Sequence, residues 1–225
     1  MSSSALILGS SGLVGSHVLT MLLDSPHYAQ VHSLVRRSSG ATHPKLHEVV
    51  VDFDRISEAG DAVRGNDVFC CLGTTIRVAG SHEAFKKVDL TYVVETAGAA
   101  LRAGATRFFV VSSLGANPTS SVFYNRTKGE MEATVSRMPF LSVGILRPSL
   151  LLGERREFRL GERIGAVGMR LTSFAMVGPA RKYRPIQASA VAAGMLFLAR
   201  TNFQGVRIVE SDEIQRMAEM VKNER

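Results

Sequence analysis

Tyr124 and Lys128 stand four residues apart in the run YNRTKGE, and Ser112 and Ser113 close the β-rich run RFFVVSS just ahead of them. One helical turn separates the tyrosine from the lysine, so both face the same side. An ammonium beside a phenol favours the phenolate and makes the phenol usable as a proton donor or acceptor. A serine hydroxyl such as that of Ser113 can hold a substrate carbonyl oxygen while negative charge develops on it. Of the four tyrosines in the chain, only Tyr124 has a lysine four residues on. The plainer reading is a tyrosine at a helix start, a solvated lysine and two serines ending a strand.

A second constellation lies near the amino terminus, where GSSGLVG places Gly9, Gly12 and Gly15 at intervals of three. It follows the apolar run ALIL and leads into an apolar helix, the strand-turn-helix setting that a dinucleotide pyrophosphate loop requires. Glycines let the backbone approach the phosphates, and the helix amino terminus presents unpaired N–H groups. A nucleotide-triphosphate loop is disfavoured, because no Gly-Lys-Ser or Gly-Lys-Thr follows. The next strand, VHSLV, runs into Arg36 and Arg37, where an NAD-preferring protein usually carries Asp or Glu for the ribose 2′-hydroxyl. A guanidinium forks onto a 2′-phosphate, so the pair argues for NADP(H) over NAD(H); the alternative is two solvated arginines opening a loop. Asp52 and Phe53, after the third strand, are placed to bracket an adenine.

These residues need a scaffold, and the chain alternates β-rich runs with helical patterns. ALIL precedes a helix over Ser16 to Asp24; VHSLV and HEVVVDF precede a helix around Ser57 to Arg64; DVFCCLG precedes a long helix from Glu83 to Ala103. RFFVVSS then precedes a helix from Tyr124 to Arg137, and LSVGILRPS follows. Alternation of this kind predicts an α/β fold, a doubly wound parallel sheet with helices covering both faces. Beyond Ser149 the pattern loosens into GERREFRLGERIG, then offers a helix ASAVAAGMLFLAR, a strand GVRIVE and a last helix from Ser211, which suggests a small C-terminal substrate lobe. No repeat, low-complexity tract or linker divides the chain, so residues 1–225 are read as one domain.

Composition narrows the partners. With 45% hydrophobic and 21% charged residues the chain reads as an ordinary globular protein. Its net charge of +7 comes from basic residues spread along the chain, with one denser patch from Arg155 to Arg184 and no recognition motif. This excludes nucleic acid as the leading partner and suits an acidic small molecule or a nucleotide equally well. No run reaches the roughly 18 to 20 apolar residues of a membrane span, and the amino terminus lacks the basic leading region of a signal peptide. Cys70 and Cys71 are adjacent, poorly disposed for a bridge and too few for a metal, so they read as small buried hydrophobes in a reducing cytoplasm.

From GSSGLVG through VDFD, CCLGTT, VSSLGAN, YNRTKGEME and RPSLLLGERRE, nearly the whole chain resembles a short-chain dehydrogenase/reductase of the extended or atypical kind. CCLGTT, SSLGAN ahead of YxxxKGExE, and RPSLLLGERRE make it most similar to the small Tat-interacting-protein-like oxidoreductases. The resemblance implies an NADPH-binding Rossmann fold, with cofactor contacts at Gly9, Ser10, Gly12, Leu13, Val14, Arg36, Arg37, Leu72, Gly73 and Thr74. It brings Pro148, Ser149 and Leu150 near the nicotinamide, puts Ser112 with Tyr124 and Lys128 beside the cofactor, and gives Ser113, Tyr124 and Lys128 catalytic roles. One departure is Asp89 in VDLTYVVETA, where many relatives carry an asparagine that helps organise a proton relay. The expected function is reduction of a small carbonyl compound with NADPH; the alternatives are an NADPH-binding sensor without turnover and an epimerase or dehydratase. Arg155, Arg156, Arg159 and Arg163 either line a pocket for an anionic substrate or form a solvated loop. A monomer and a homodimer paired through the two long helices are both compatible with the sequence.

Overall fold

The structure is a computed structural model that describes residues 3–153 and 178–223. Seven strands form one parallel sheet: β1 (Ser3–Leu8), β2 (Tyr28–Val35), β3 (Leu46–Val50), β4 (Asp67–Cys70), β5 (Arg107–Val111), β6 (Ser142–Arg147) and β9 (Gly205–Glu210). Their spatial order is β3-β2-β1-β4-β5-β6-β9, the doubly wound arrangement expected, with the order reversing between β1 and β4. That reversal opens a crevice at the carboxyl ends of the strands, where such sheets bind ligands.

The strands are continuously apolar because both faces are covered. Ala5 and Ile7 of β1 point into a core shared with α1 (Leu13–Asp24) and α6 (Ala188–Arg200). Leu6 and Leu8 point the other way, into a core shared with α4 (Tyr92–Arg102) and α5 (Phe123–Val135). Phe69 and Phe109 follow the first pattern, Val68, Cys70, Phe108 and Val110 the second.

Three segments depart from the sequence pattern. The helix expected at Ser57 to Arg64 is two 3₁₀ turns, Phe53–Glu58 and Gly60–Ala62, divided at Ala59, and the second opens on Gly60, whose φ is +49°. The long helix expected from Glu83 is split: α3 (His82–Lys86) passes through a π turn, Lys87–Thr91, into α4. A short helix, α2 (Ile76–Ala79), precedes it. The C-terminal elements also serve the main body: β9 pairs with β6 as the seventh strand, and α6 packs against α1. The part of the expected lobe that stands apart is a two-stranded ladder of β7 (Leu151–Leu152) and β8 (Ile186–Gln187), with α7 (Ser211–Asn223) against α6.

At the opposite end of the sheet, Asp67 accepts hydrogen bonds from Tyr28 Oη at 2.7 Å and from the Arg107 guanidinium, with Nε at 2.6 Å. Arg107 also donates to the carbonyl of Ala199 at 2.5 Å, tying β4, β5 and the end of α6 together. No helix among the described residues is long and apolar enough to cross a membrane.

Candidate active site

The glycine loop is held by close contacts that only glycine allows. Gly9 has φ +75°, and a Cβ there would lie 2.6 Å from the carbonyl oxygen of Cys71, at the end of β4. A Cβ on Gly15 would lie 2.0 Å from the Gly9 carbonyl oxygen, so α1 starts directly against the strand-end turn. The Gly12 N–H donates to that carbonyl at 2.9 Å and closes the loop. α1 begins at Leu13, earlier than the sequence pattern suggested, with no side-chain cap and no acidic residue in its first turn. Its free N–H groups and positive dipole end therefore face the crevice, as an anionic diphosphate requires. Val14 is buried and Leu13 half-buried. The Ser10 hydroxyl turns inward and accepts from Ser33 Oγ at 2.7 Å, anchoring the loop to β2.

Arg36 and Arg37 follow β2, exposed and without an ion pair among the described residues. The acid nearest in the adjoining strand, Glu48, is occupied: it accepts from Ser38 Oγ at 2.9 Å, Ser39 N at 3.0 Å and Ser39 Oγ at 2.6 Å. The Ser39 hydroxyl foremost among these bonds holds its carboxyl below the usual range. Asp52 caps the following turn through the Asp54 N–H at 2.9 Å. Phe53 is buried in the core with its ring 5.5 Å from that of Tyr92.

The segment after β4 carries Leu72, Gly73 and Thr74. Leu72 packs on the core, Gly73 is exposed, and the Thr74 N–H donates to Asp89 Oδ2 at 2.8 Å. Asp89, fully buried on the π turn, pairs through Oδ1 with Lys128 Nζ at 2.7 Å. Lys128 is itself only 4% exposed. Burial opposes its charge, yet the Asp89 carboxylate, with Tyr124 adding, outweighs burial and leaves the ammonium above its ordinary range. Tyr124 sits one turn earlier on α5, its ring 5.3 Å from that of Phe85 on α3. A stack of His82 on Phe123 with centroids 4.0 Å apart, and an ion pair of Lys86 with Glu130 at 3.0 Å, fasten α3 to α5.

The two serines after β5 separate. Ser113 is half-buried, and among the described residues its hydroxyl makes only a long contact of 3.4 Å to the Leu114 carbonyl. Ser112 is buried; its hydroxyl donates to Glu132 Oε1 at 2.5 Å and its N–H to the Leu146 carbonyl at 2.7 Å. Glu132 also receives Arg147, Nη2 at 2.5 Å and Nε at 3.0 Å, so one carboxylate joins α5 to the ends of β5 and β6. Glu132 and Arg147 escaped the sequence reading, although Glu132 lies four residues after Lys128 in KGExE and so shares its helix face.

After β6, the Pro148 carbonyl accepts the Leu114 N–H at 2.9 Å, and the Leu150 carbonyl accepts the Ile186 N–H at 2.9 Å. The Ser149 hydroxyl donates to the Arg184 carbonyl and lies 3.0 Å from the Ser211 hydroxyl. These residues brace the C-terminal elements against the crevice. A cleft of about 350 Å³ beside them is bounded by Arg181, Arg184, Ser211, Asp212 and Arg216, and includes neither Tyr124 nor the glycine loop. Arg155, Arg156, Arg159 and Arg163 lie outside the described residues. No group of three metal-ligating side chains occurs among the described residues.

Consecutive strand ends thus line up Gly9, Leu72–Thr74, Ser113 and Pro148–Leu150 along one rim, with Tyr124 and Lys128 on the helix that follows β5. A family profile described as NAD(P)H-binding matches residues 9–166. Protein HTATIP2 of Rattus norvegicus is 39% identical over 163 residues, covering 71% of this chain and 67% of that protein. Protein FMP52, mitochondrial, of Candida albicans is 32% identical over 226 residues, covering 96% and 98%. In fold, the crystal structure of the oxidoreductase ylbE from Lactococcus lactis superposes with a TM-score of 0.68 at 17% identity, covering 98% of this chain and 97% of that one. The chain belongs to the NAD(P)H-binding family, as an atypical short-chain dehydrogenase/reductase close to the HTATIP2-like proteins.

Proposed function

We propose that the protein is an NADPH-dependent reductase of a small carbonyl substrate. The observation that carries this reading is the buried Lys128, paired with Asp89 one helical turn from Tyr124, on the same rim as a strand-end loop packed too closely for any residue but glycine. NADPH, when bound, supplies a hydride. Gly9, Gly12 and the first turn of α1 would hold its diphosphate, and Arg36 and Arg37 its 2′-phosphate. Asp52 and Phe53 would flank the adenine, and Leu72, Gly73 and Thr74 would line the path inward. Pro148, Ser149 and Leu150 would border the nicotinamide through their backbone and the Leu150 side chain. Ser113 Oγ donates to the substrate carbonyl oxygen, Tyr124 Oη delivers the proton to it, and Lys128 stabilises the resulting tyrosinate.

The net charge of +7 suits an anionic substrate, and residues 1–225 are proposed to act as one domain, as a monomer or homodimer. We place the protein in the cytoplasm; the fungal FMP52 relatives carry mitochondrial names, and cell fractionation decides between the two. The functional test is NADPH and NADH oxidation against a panel of aldehydes, ketones and quinones. Carbonyl-dependent oxidation that prefers NADPH supports the reading. Tight NADPH binding with no carbonyl accelerating its oxidation overturns it in favour of a sensor.

A further inference from the structure

In this protein the lysine that serves Tyr124 has an acid for a partner. Asp89 is wholly buried, and its two oxygens do different work: Oδ2 accepts the Thr74 N–H at 2.8 Å, and Oδ1 lies 2.7 Å from Lys128 Nζ. Oδ1 has no hydrogen-bond partner beyond that ion contact. The π turn Lys87–Thr91 inserts an extra residue between α3 and α4, and Asp89 is the residue of that turn that is buried. Turns of this kind recur at functional sites. Gly73 runs directly over the pair: a Cβ there would lie 3.4 Å from Asp89 Oδ1 and 3.8 Å from Lys128 Nζ.

The groups that act on Lys128 are Asp89 from the π turn, Tyr124 from its own helix and Cys70 from β4. Cys70 is buried, which pushes its thiol up to about 12 and keeps it neutral at working pH. Of the three, Asp89 is the one that meets the Lys128 ammonium in an ion pair. An amide in its place could still accept the Thr74 N–H but would leave a buried ammonium uncompensated.

We propose that Asp89 is a positioning residue that keeps Lys128 charged and fastens it to the loop at Thr74, so that a buried carboxylate governs the pH range over which Tyr124 can act. The kinetic part of this proposal rests on the reductase reading; the ionisation part does not.

The test follows the Cε resonance of Lys128 through a pH titration, assigned with the Lys128→Met protein. In the wild-type protein the ammonium should persist beyond about pH 10.4, the ordinary lysine value. A lysine that titrates below that value overturns the proposal, without need of any variant at Asp89. In Asp89→Asn the midpoint should fall by at least about one pH unit, the usual effect of losing a close opposite charge. An unmoved midpoint overturns the proposal whatever happens to the rate. The alkaline limb of kcat for carbonyl reduction should move down with it: an uncompensated ammonium favours tyrosinate, which is the wrong form for donating a proton, and a lysine that loses its proton ceases to assist. Asp89→Glu should return the limb toward its wild-type position even where the longer side chain lowers the rate. A limb that stays in place while the lysine moves overturns the link to Tyr124. If no carbonyl is reduced by the wild-type protein, the reductase reading fails, and the lysine titration still decides the role of Asp89.

Discussion

In the proposed reading Arg36 and Arg37 discriminate between cofactors: they follow β2, exposed and without an ion pair among the described residues, and Glu48 is taken up by Ser38 and Ser39. Charge-assisted hydrogen bonds contribute about 1.5 to 3 kcal/mol each, and 1.4 kcal/mol is a factor of ten in affinity. Replacing both arginines by alanine should weaken NADPH binding at least about 100-fold and change NADH binding less than about threefold, as isothermal titration would read. Equal losses for both would remove the 2′-phosphate assignment. The arginines and the glycine loop were legible in the sequence because local backbone chemistry fixes them. The separation of Ser112 from Ser113 was not, since which of two adjacent strand-end serines turns toward Glu132 depends on how α5 and β6 close over them.

Among the helices and strands, the carboxylate of Glu132 is the main connector of the site. It is buried, binds Ser112 and Arg147 together, and so fixes α5 against β5 and β6. Removing one partner of a buried pair typically costs about 3 to 5 kcal/mol, because the other charge is left uncompensated. Glu132→Ala should lower the unfolding free energy by about 3 kcal/mol, the low end because Arg147 is 21% exposed at its side chain. Urea denaturation checks this, and a loss below about 1 kcal/mol would show that the connection is dispensable. The strands and the helix carrying Tyr124 were readable because burial on both sheet faces imposes a continuous apolar pattern. The π turn and the paired 3₁₀ turns were not, since each depends on tertiary partners: Lys128 and the Thr74 N–H for Asp89, and the packing of Phe53 on Tyr92 for the turn after β3.

Taken as a whole, the chain buries protons that alkali would remove. Burial pushes the Cys70 thiol up to about 12 and raises that of Cys71. Burial foremost, with Asp67 beside it, also raises the Tyr28 phenol. The folded state keeps these protons where the unfolded chain releases them, so their stabilisation is complete below the ordinary thiol and phenol values. It is lost as pH rises above them, by up to about 1.4 kcal/mol per pH unit for each group. Melting temperature should therefore fall steadily between about pH 9 and 11, and Tyr28→Phe should flatten the upper part of that fall; a flat profile in the wild-type protein would contradict it. For the function of the assembled fold, the decisive measurement is NADPH oxidation with an active carbonyl compound by wild-type protein and Tyr124→Phe, alongside the NADPH dissociation constant of each. We expect turnover to fall by at least about 100-fold while NADPH affinity changes less than about threefold. A Tyr124→Phe protein that reduces the carbonyl at the wild-type rate would contradict proton delivery by Tyr124, and with it the proposed mechanism.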